Sequence, residues 1–328
     1  LAVWRSANQA IVVNASPGLQ QSIRIPVARV FPAQGARLFA WGKALRLHQW
    51  LKNVLLFLPL LAAHRFDIQS WLPAMLGFVA FGLCASSVYV LNDLLDLPSD
   101  RQHLRKRRRP FASGRISALQ GIVVAPCLLF AALLFAYALA PSFACVMLGY
   151  YCLTLAYSVS FKRVAILDVV VLSGLYIIRI VAGAVLVQIS LSFWLLSFAL
   201  FFFVSLAFLK RYIELVQLME KGGENAKGRG YNVTDAPMIA SQGSAAGYTS
   251  VMVLAFYINS KDVMALYSGP QWLWGICVLL LYWLNRSWLL AHRDELHDDP
   301  VVYALMDRGS QVILLMVFGL LAVASMSF

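Results

Sequence analysis

The sequence predicts an all-α polytopic membrane protein: nine transmembrane helices in one bundle, with the N-terminus in the cytoplasm. Three observations predict it. Of the 328 residues, 61% are hydrophobic and 13% charged, with mean hydropathy +0.73, too apolar for a soluble domain. Apolar segments near the ~20 residues needed to cross a bilayer recur at 47–63, 71–92, 119–140, 142–160, 165–188, 191–212, 245–267, 271–290 and 310–328. Lys and Arg concentrate in alternate loops, 93–118, 161–164, 213–244 and 291–309, while the intervening loops hold little beyond Arg65 and Lys261. The positive-inside bias places the first set in the cytoplasm.

The net charge of +12 sits in those loops. A nucleic-acid reading would want a basic face on a soluble module, and there is none, so nucleic acid is not expected as a partner. Anionic lipid headgroups and phosphorylated substrates are. Cys84, Cys127, Cys145, Cys152 and Cys277 lie in apolar segments without C-x-x-C or His pairing, and read as reduced, packed small hydrophobes.

Residues 1–40 form a leader ahead of the membrane domain, 41–328. Within the leader, Ala10 to Ser16 is short, β-branched and bounded by Pro17-Gly18, and reads as one buried strand or as an interfacial leader. The first span opens on Leu45 to Asn53, L-R-L-H-Q-W-L-K-N. Trp50 at headgroup depth with Arg46 and Lys52 snorkelling is one reading. Lys52 and Asn53 entering an apolar helix favour an inward role.

The second span runs into Asn92, Asp93, Asp96 and Asp100, followed by Arg101, Arg105, Lys106, Arg107, Arg108, Arg109 and Arg115. Asn92, Asp96 and Asp100 share one face of a continuous helix. They stand at its C-terminal end, where the macrodipole is already negative, so an acid cluster there calls for a cation. All-oxygen ligands suit Mg²⁺, bound through one or two carboxylates plus substrate phosphates, and the basic block supplies the rest of a diphosphate site. Pro98 predicts that the helix kinks or stops near Asp96, which puts Asp100 on a loop.

N-D-x-x-D-x-x-x-D followed by a basic run and R-P-x-x-x-G (Arg109, Pro110, Gly114) resembles the UbiA superfamily of intramembrane prenyltransferases. The resemblance implies a nine-helix bundle and Mg²⁺ held by Asn92, Asp93, Asp96 and Asp100 against a donor diphosphate. The Arg46–Asn53 stretch is similar to the start of one branch, the decaprenyl-phosphate phosphoribosyltransferases. So are Y-I-I-R around Arg179 and K-R-Y-I-E-L over Lys210 to Leu215. The second acidic motif of the aromatic prenyltransferases, D-x-x-x-D, is missing between 205 and 230. The 10–16 strand resembles the last strand of a haloacid-dehalogenase-type domain, which is fused ahead of UbiA-like domains in some bacterial proteins.

Other polar residues join this site or mark topology. Lys162 reads either as a phosphate ligand or, with Arg163, as a topology signal, and Tyr157 as a hydrogen-bond donor. Asp168 needs a partner inside the fifth span, with Lys162 or Arg179 the candidates. Arg179 must face the bundle interior and pairs with substrate or with an acid, while Gly174 and Gly183 permit close helix approach. Lys210 and Glu214 share a face at the end of the sixth span. The 220–247 loop is a mobile connector or a lid, and HRDELHDDP (292–300) a solvated turn or a metal site.

The expected function is an Mg²⁺-dependent transferase of the inner membrane, active site facing the cytoplasm, acting on a diphosphate-bearing donor and an isoprenoid lipid. Asp93, Asp96, Lys162 and Arg179 are the expected catalytic residues. Lys52, Asn53, Arg108, Tyr157, Lys162, Arg179, Lys210, Arg211 and Glu214 are the expected substrate ligands. Two chemistries share such a site: phosphoribose moved from phosphoribosyl diphosphate to a polyprenyl phosphate, or a polyprenyl chain moved from its diphosphate to an aromatic acid such as 4-hydroxybenzoate. A transporter is the alternative from another class, since intramembrane charges also mark transport paths. No paired repeat is visible to support it.

Overall fold

The computed structural model describes residues 8–13, 23, 25–31, 37–102, 106–220, 222–223, 229–296 and 300–326. Strand β1 (Ala10–Val13) forms where the sequence predicts one and pairs in parallel with β2 (Val27–Phe31). Ala10 and Val12 are buried while Ile11 points outward, the alternation of a half-buried strand.

Helix α1 (Arg37–Ala44) precedes the first pass. Arg46, with φ 50°, then turns the chain into a 3₁₀ helix, Leu47–Phe57, continued by the short α2 (Leu58–Ala62). This stretch stands where the first span was expected, but it is not one of the helices long and apolar enough by themselves to cross a membrane. At about 2.0 Å rise per residue the 3₁₀ stretch gains roughly 22 Å, and α2 adds about 8 Å. Together they match a ~30 Å hydrocarbon core with fewer residues than an α-helix needs. Its period of three aligns Trp50, Asn53 and Leu56. Trp50 lies against Gly82, where a Cβ would fall 2.5 Å from the indole, and the Leu56 backbone lies against Gly183. Trp50 also donates to Ser86 Oγ at 2.9 Å, so it docks into the bundle.

The remaining helices are α3 (Ile68–Leu95), α4 (Leu97–Gln102), α5 (Ala118–Leu139), α6 (Pro141–Val159), α7 (Leu167–Leu186), α8 (Phe193–Glu220), α9 (Ala236–Ile258), α10 (Lys261–Leu266), α11 (Trp274–His292), α12 (Pro300–Met306) and α13 (Arg308–Ser325). Among the described residues seven helices are long and apolar enough to cross a membrane: α3, α5, α6, α7, α8, α11 with the turn before it, and α13. Where a seventh span was expected, at 245–267, the structure has α9 at 236–258, which is not one of those seven. Asn232 and Asp235 start the preceding turn with reciprocal side-chain caps, and Pro237 occupies the first turn of α9. The supposed mobile stretch 220–247 is therefore helical from 236, and α8 runs two turns past its expected end.

Helix α3 ends at Leu95 and restarts at Leu97, the break expected from Pro98. Asp100 nevertheless lies on a helix, α4, and is buried, with its N–H bonded to the Asp96 carbonyl at 2.8 Å.

Helices α3 and α7 are the most enclosed; α5 and α13 form the rim and show apolar side chains outward. Of the two glycines expected at close approaches, Gly183 fits: a Cβ there would meet the Leu56 carbonyl oxygen at 2.1 Å. Gly174 does not, since nothing lies within 4 Å of its Cβ position. Cys84 and Cys277 are buried as expected, whereas Cys127, Cys145 and Cys152, expected to be packed, are exposed. Successive long helices alternate in direction. The end of α6, the start of α7, the end of α8 and the segment before α9 meet through Tyr157, Asp168, Arg211, Glu214 and Arg229, and the end of α11 meets α8 through His292 and Tyr212.

Candidate functional site

At the end of α3 the acids are partly neutralised by arginines. Arg46 Nη2 donates to Asp93 Oδ1 at 2.5 Å, and Arg109 Nη1 reaches the same oxygen at 3.3 Å and Asp100 Oδ2 at 2.7 Å. Asp93 and Asp100 are buried, so two carboxylates and two guanidiniums form a compact neutral group. Asn92 and Asp96 are half-buried, and Asp96 carries no ion pair among the described residues. Asp100 Oδ1 is buried with no hydrogen-bond partner.

Among the described residues no three His, Cys, Asp or Glu side chains gather tightly enough to cage a metal. Mg²⁺ needs no such cage, because one or two carboxylates, waters and substrate phosphates complete its shell. Asp96, the Asn92 amide oxygen and the unpartnered Asp100 Oδ1 fit that role. The structure thus divides the expected four ligands: Asp93 is held by two arginines, and the other three retain coordinating capacity.

A second network joins α7, α8 and the segment before α9. Asp168, expected to pair with Lys162 or Arg179, pairs instead with Arg211, whose Nε is 3.0 Å from Asp168 Oδ2. The atoms are close but out of line for a hydrogen bond, so this contact is coulombic. Tyr231 donates to Asp168 Oδ1 at 2.5 Å and accepts the Ile166 N–H at 2.8 Å. Ile166 has φ 66°, strained for a β-branched residue, and Tyr231 holds it there. Burial, then the bond to Asp168, pushes the Tyr231 phenol well above its ordinary value, so it stays a donor. Arg211 also binds Glu214, and Arg229 reaches Glu214 at 3.3 Å, Asp168 at 3.6 Å and the Tyr157 hydroxyl at 3.2 Å. Arg211 and Glu214, expected on substrate, are thus engaged with each other. Glu214, expected to share a face with Lys210, takes Arg211 in an i, i+3 pair.

Deeper in the bundle, Arg179 is buried without a carboxylate partner among the described residues. Its Nε donates to Asn53 Oδ1 at 3.0 Å, Nη2 to the Tyr150 hydroxyl at 2.9 Å and Nη1 to the Leu175 carbonyl. Its guanidinium lies over the rings of Phe81, Tyr150 and Tyr176. Eleven residues of α7 separate Arg179 from Asp168, about 16 Å of helix. The seven residues from Arg46 to Asn53 span about 14 Å at the 3₁₀ rise. One diphosphate cannot touch both levels. Arg179 therefore clamps the 3₁₀ helix to α6 and α7, and Lys52, with Nζ 5.6 Å from the Tyr176 ring centre, is presented on that clamped segment.

Lys162 is half-buried on a single 3₁₀ turn, Phe161–Arg163, beside the start of α7, and Lys210 is half-buried on α8. Arg108 lines a cavity with Lys43, Arg107, Ser113 and Arg115. Arg46, Arg109, Tyr150, Arg229 and Tyr231 belong to these networks but were not expected as site residues. Arg109 had a signal, since it directly precedes Pro110 in the basic block. Of the 292–300 stretch, residues 297–299 lie outside the described residues. The end of α11 is tied by a hydrogen bond between Tyr212 Oη and His292 Nδ1 at 2.9 Å.

Comparison with known proteins agrees with this architecture. The sequence profile of the UbiA prenyltransferase family matches residues 53–309. The chain is 39% identical over 318 residues to the uncharacterized protein y4nM of Sinorhizobium fredii, covering 95% of this chain and 62% of that protein. It is 37% identical to the nodulation protein NoeC of Azorhizobium caulinodans, over 83% of this chain and 89% of that one. It is 36% identical to a decaprenyl-phosphate phosphoribosyltransferase of Corynebacterium glutamicum, over 83% and 82%. A UbiA homolog from Archaeoglobus fulgidus, solved bound to GPP and Mg²⁺, superposes with TM-score 0.62 at 17% identity, covering 88% of this chain and 100% of that one, and so shares the fold.

Proposed function

Because the chain belongs to the UbiA prenyltransferase family, we propose that it is an Mg²⁺-dependent transferase that moves phosphoribose from phosphoribosyl diphosphate to a polyprenyl phosphate, at the cytoplasmic face of the inner membrane. Similarity to the Corynebacterium phosphoribosyltransferase over most of both chains supports this donor and acceptor. One geometric observation carries the reading. Among the described residues, the acidic cluster at the end of α3 keeps a carboxylate, Asp96, outside ion pairs, whereas Asp168 and Glu214 are taken up by Arg211 and Arg229. One metal-binding end with cations around it suits a single activated diphosphate.

In this mechanism the acceptor phosphate oxygen attacks the anomeric carbon. A carbon–oxygen bond forms there as the bond to diphosphate breaks, and the diphosphate leaves with the electron pair. Mg²⁺ held by Asn92, Asp96 and Asp100 would supply neutralisation of the leaving diphosphate. Lys162 and Lys210 add fixed positive charge where negative charge develops, and Arg108, expected on the same diphosphate, lines the neighbouring basic cavity. Asp93 holds Arg46 and Arg109 in place beside the diphosphate. Lys52, kept in position through Asn53 and Arg179, meets the acceptor. A carrier reading has no need of family membership in a transferase group and is set aside.

The test is incubation of purified protein with Mg²⁺ and each donor–acceptor pair. Product is expected from phosphoribosyl diphosphate with a polyprenyl phosphate. It should be lost in Asp96→Asn, whose thermal midpoint should match wild type. Product formed only from a polyprenyl diphosphate and 4-hydroxybenzoate would overturn the proposal.

A further inference from the structure

Beside the acidic end of α3 lies a cavity of about 520 Å³ lined, among the described residues, by Lys43, Arg107, Arg108, Ser113 and Arg115, four cations and a hydroxyl with no carboxylate. We infer that it binds a phosphomonoester, namely the second, non-leaving phosphate of a sugar-phosphate donor. This rests on the donor reading above.

A topology signal needs only positive charge near the membrane edge, whereas these exposed side chains rise from a concave backbone frame that is itself fixed. Lys43 is carried by α1, and the other wall is the 106–115 turn. Trp41 of α1 meets Phe111 of the turn edge-to-face, with ring centres 6.3 Å apart. Phe111 is buried with Ala40, Ala44, Val90, Ile116 and Ala125. Gly121 admits it, because a Cβ there would fall 2.7 Å from the Phe111 ring. The turn is closed by Ser113 N–H to the Arg109 carbonyl at 2.9 Å and Ile116 N–H to the Pro110 carbonyl at 3.2 Å, with Gly114 at φ 73°.

Like charges held around one hollow repel, and a dianion at its centre removes the repulsion. Arginine and lysine with a hydroxyl are the donor set that phosphate oxygens take. Adjacent residues divide the work: Arg109 reaches Asp93 and Asp100, while Arg108 lines the basin. A donor carrying a diphosphate at one end of a sugar and a monophosphate at the other fits two such neighbouring seats. The shared chemistry, a phosphate anion, could also come from an anionic lipid headgroup.

The test is calorimetric titration of the full chain in neutral detergent at low salt, using two probes: ribose 5-phosphate, and inorganic diphosphate with Mg²⁺. The variants are Lys43→Gln/Arg107→Gln and the charge-keeping Arg107→Lys. Ribose 5-phosphate should bind about tenfold more weakly to the double variant and as in wild type to Arg107→Lys, with diphosphate affinity unchanged in both. Equal ribose 5-phosphate affinity in wild type and the double variant would overturn the site. Added phosphatidylglycerol should leave ribose 5-phosphate binding intact, where phosphatidylcholine is the control; displacement by phosphatidylglycerol alone would assign the basin to lipid and overturn the donor-phosphate assignment. Failure of diphosphate to bind, with ribose 5-phosphate binding retained, would count against the transferase mechanism and not against the basin.

Discussion

Replacing Arg211 with leucine should destabilise the fold before it affects substrate binding. Arg211 is 1% exposed and its partner Asp168 is fully buried, so the change leaves a buried carboxylate short of one cation. Removing one partner of a buried ion pair costs about 3–5 kcal/mol. Here the low end applies: the Arg211–Asp168 contact is out of line for a hydrogen bond. Asp168 also keeps Tyr231 at 2.5 Å and Arg229 at 3.6 Å. With roughly 2 °C lost per kcal/mol in a chain of this size, the midpoint should fall by about 6 °C. The assay is tryptophan fluorescence of the detergent-solubilised protein during heating, read at one scan rate because unfolding of such proteins is often irreversible. Adding Asp168→Asn to Arg211→Leu should recover part of the loss, since the orphaned charge is then gone. A midpoint within about 1 °C of wild type, together with lost affinity for diphosphate, would refute the assignment of Arg211 to the internal network.

Two glycines should respond oppositely. Gly183→Ala places a methyl 2.1 Å from the Leu56 carbonyl oxygen and should cost about 1–3 kcal/mol by overpacking the 3₁₀ helix against α7. Gly174→Ala meets nothing within 4 Å and should gain about 0.5–1 kcal/mol of helix stability; heating both in parallel checks the contrast. A pH dependence follows from Asp307, the cap of α13. Hydrogen bonds from Arg286, then from Ser310, hold its carboxyl well below the ordinary value of 3.8. A lowered folded value means the stabilisation is present above 3.8 and is lost as pH falls toward the folded value. Midpoints taken from about pH 6 to about pH 3 should therefore drop more steeply for wild type than for Asp307→Asn.

The sequence announces the acidic end of α3 because four polar residues cannot stand at a membrane edge without a task. The i, i+4 spacing of Asn92 and Asp96 survives in the structure, as does the break that Pro98 imposes. Their partners were out of reach, since Arg46 meets Asp93 across 47 residues of chain, a distance set by tertiary packing. Sequence proximity misassigned Asp168 for the same reason. Arg179 is near it in number but three turns away along α7, whereas Arg211 comes from the neighbouring helix. The start of α9 was readable. Asn232 and Asp235 spell a cap and Pro237 a first turn, but the polar residues 241–244 interrupt the apolar run and drew the expected span toward its C-terminal half. The first span was hidden differently: a hydropathy count does not distinguish a period of 3.0 from 3.6. Yet Trp50, Asn53 and Leu56 carry the three-residue repeat that docks it.

A charged site in this bundle has to be affordable without its substrate, and the pairing shows how. Asp93 and Asp100 face Arg46 and Arg109; Asp168 and Glu214 face Arg211 and Arg229. Each cluster is neutral, so neither leaves an uncompensated charge in a low-dielectric setting. The two differ in what an entering anion could gain. Around Asp168 the nearer arginine, Arg211, is fully buried and Tyr231 seals the carboxylate, while Arg229 and Glu214 are partly exposed. At the end of α3 both arginines are partly exposed, Asp100 Oδ1 is unpartnered, and Asp96 stands outside the pairing. Under the proposed function, Asp96 and Asp100 would hold the metal there, and Arg46 and Arg109, kept in place by Asp93, would add positive charge beside the diphosphate. The Asp168–Arg211 pair, enclosed on both sides, belongs to the frame, and under the proposed function the chemistry would fall to the α3 end, where Asp96 stands outside ion pairs among the described residues.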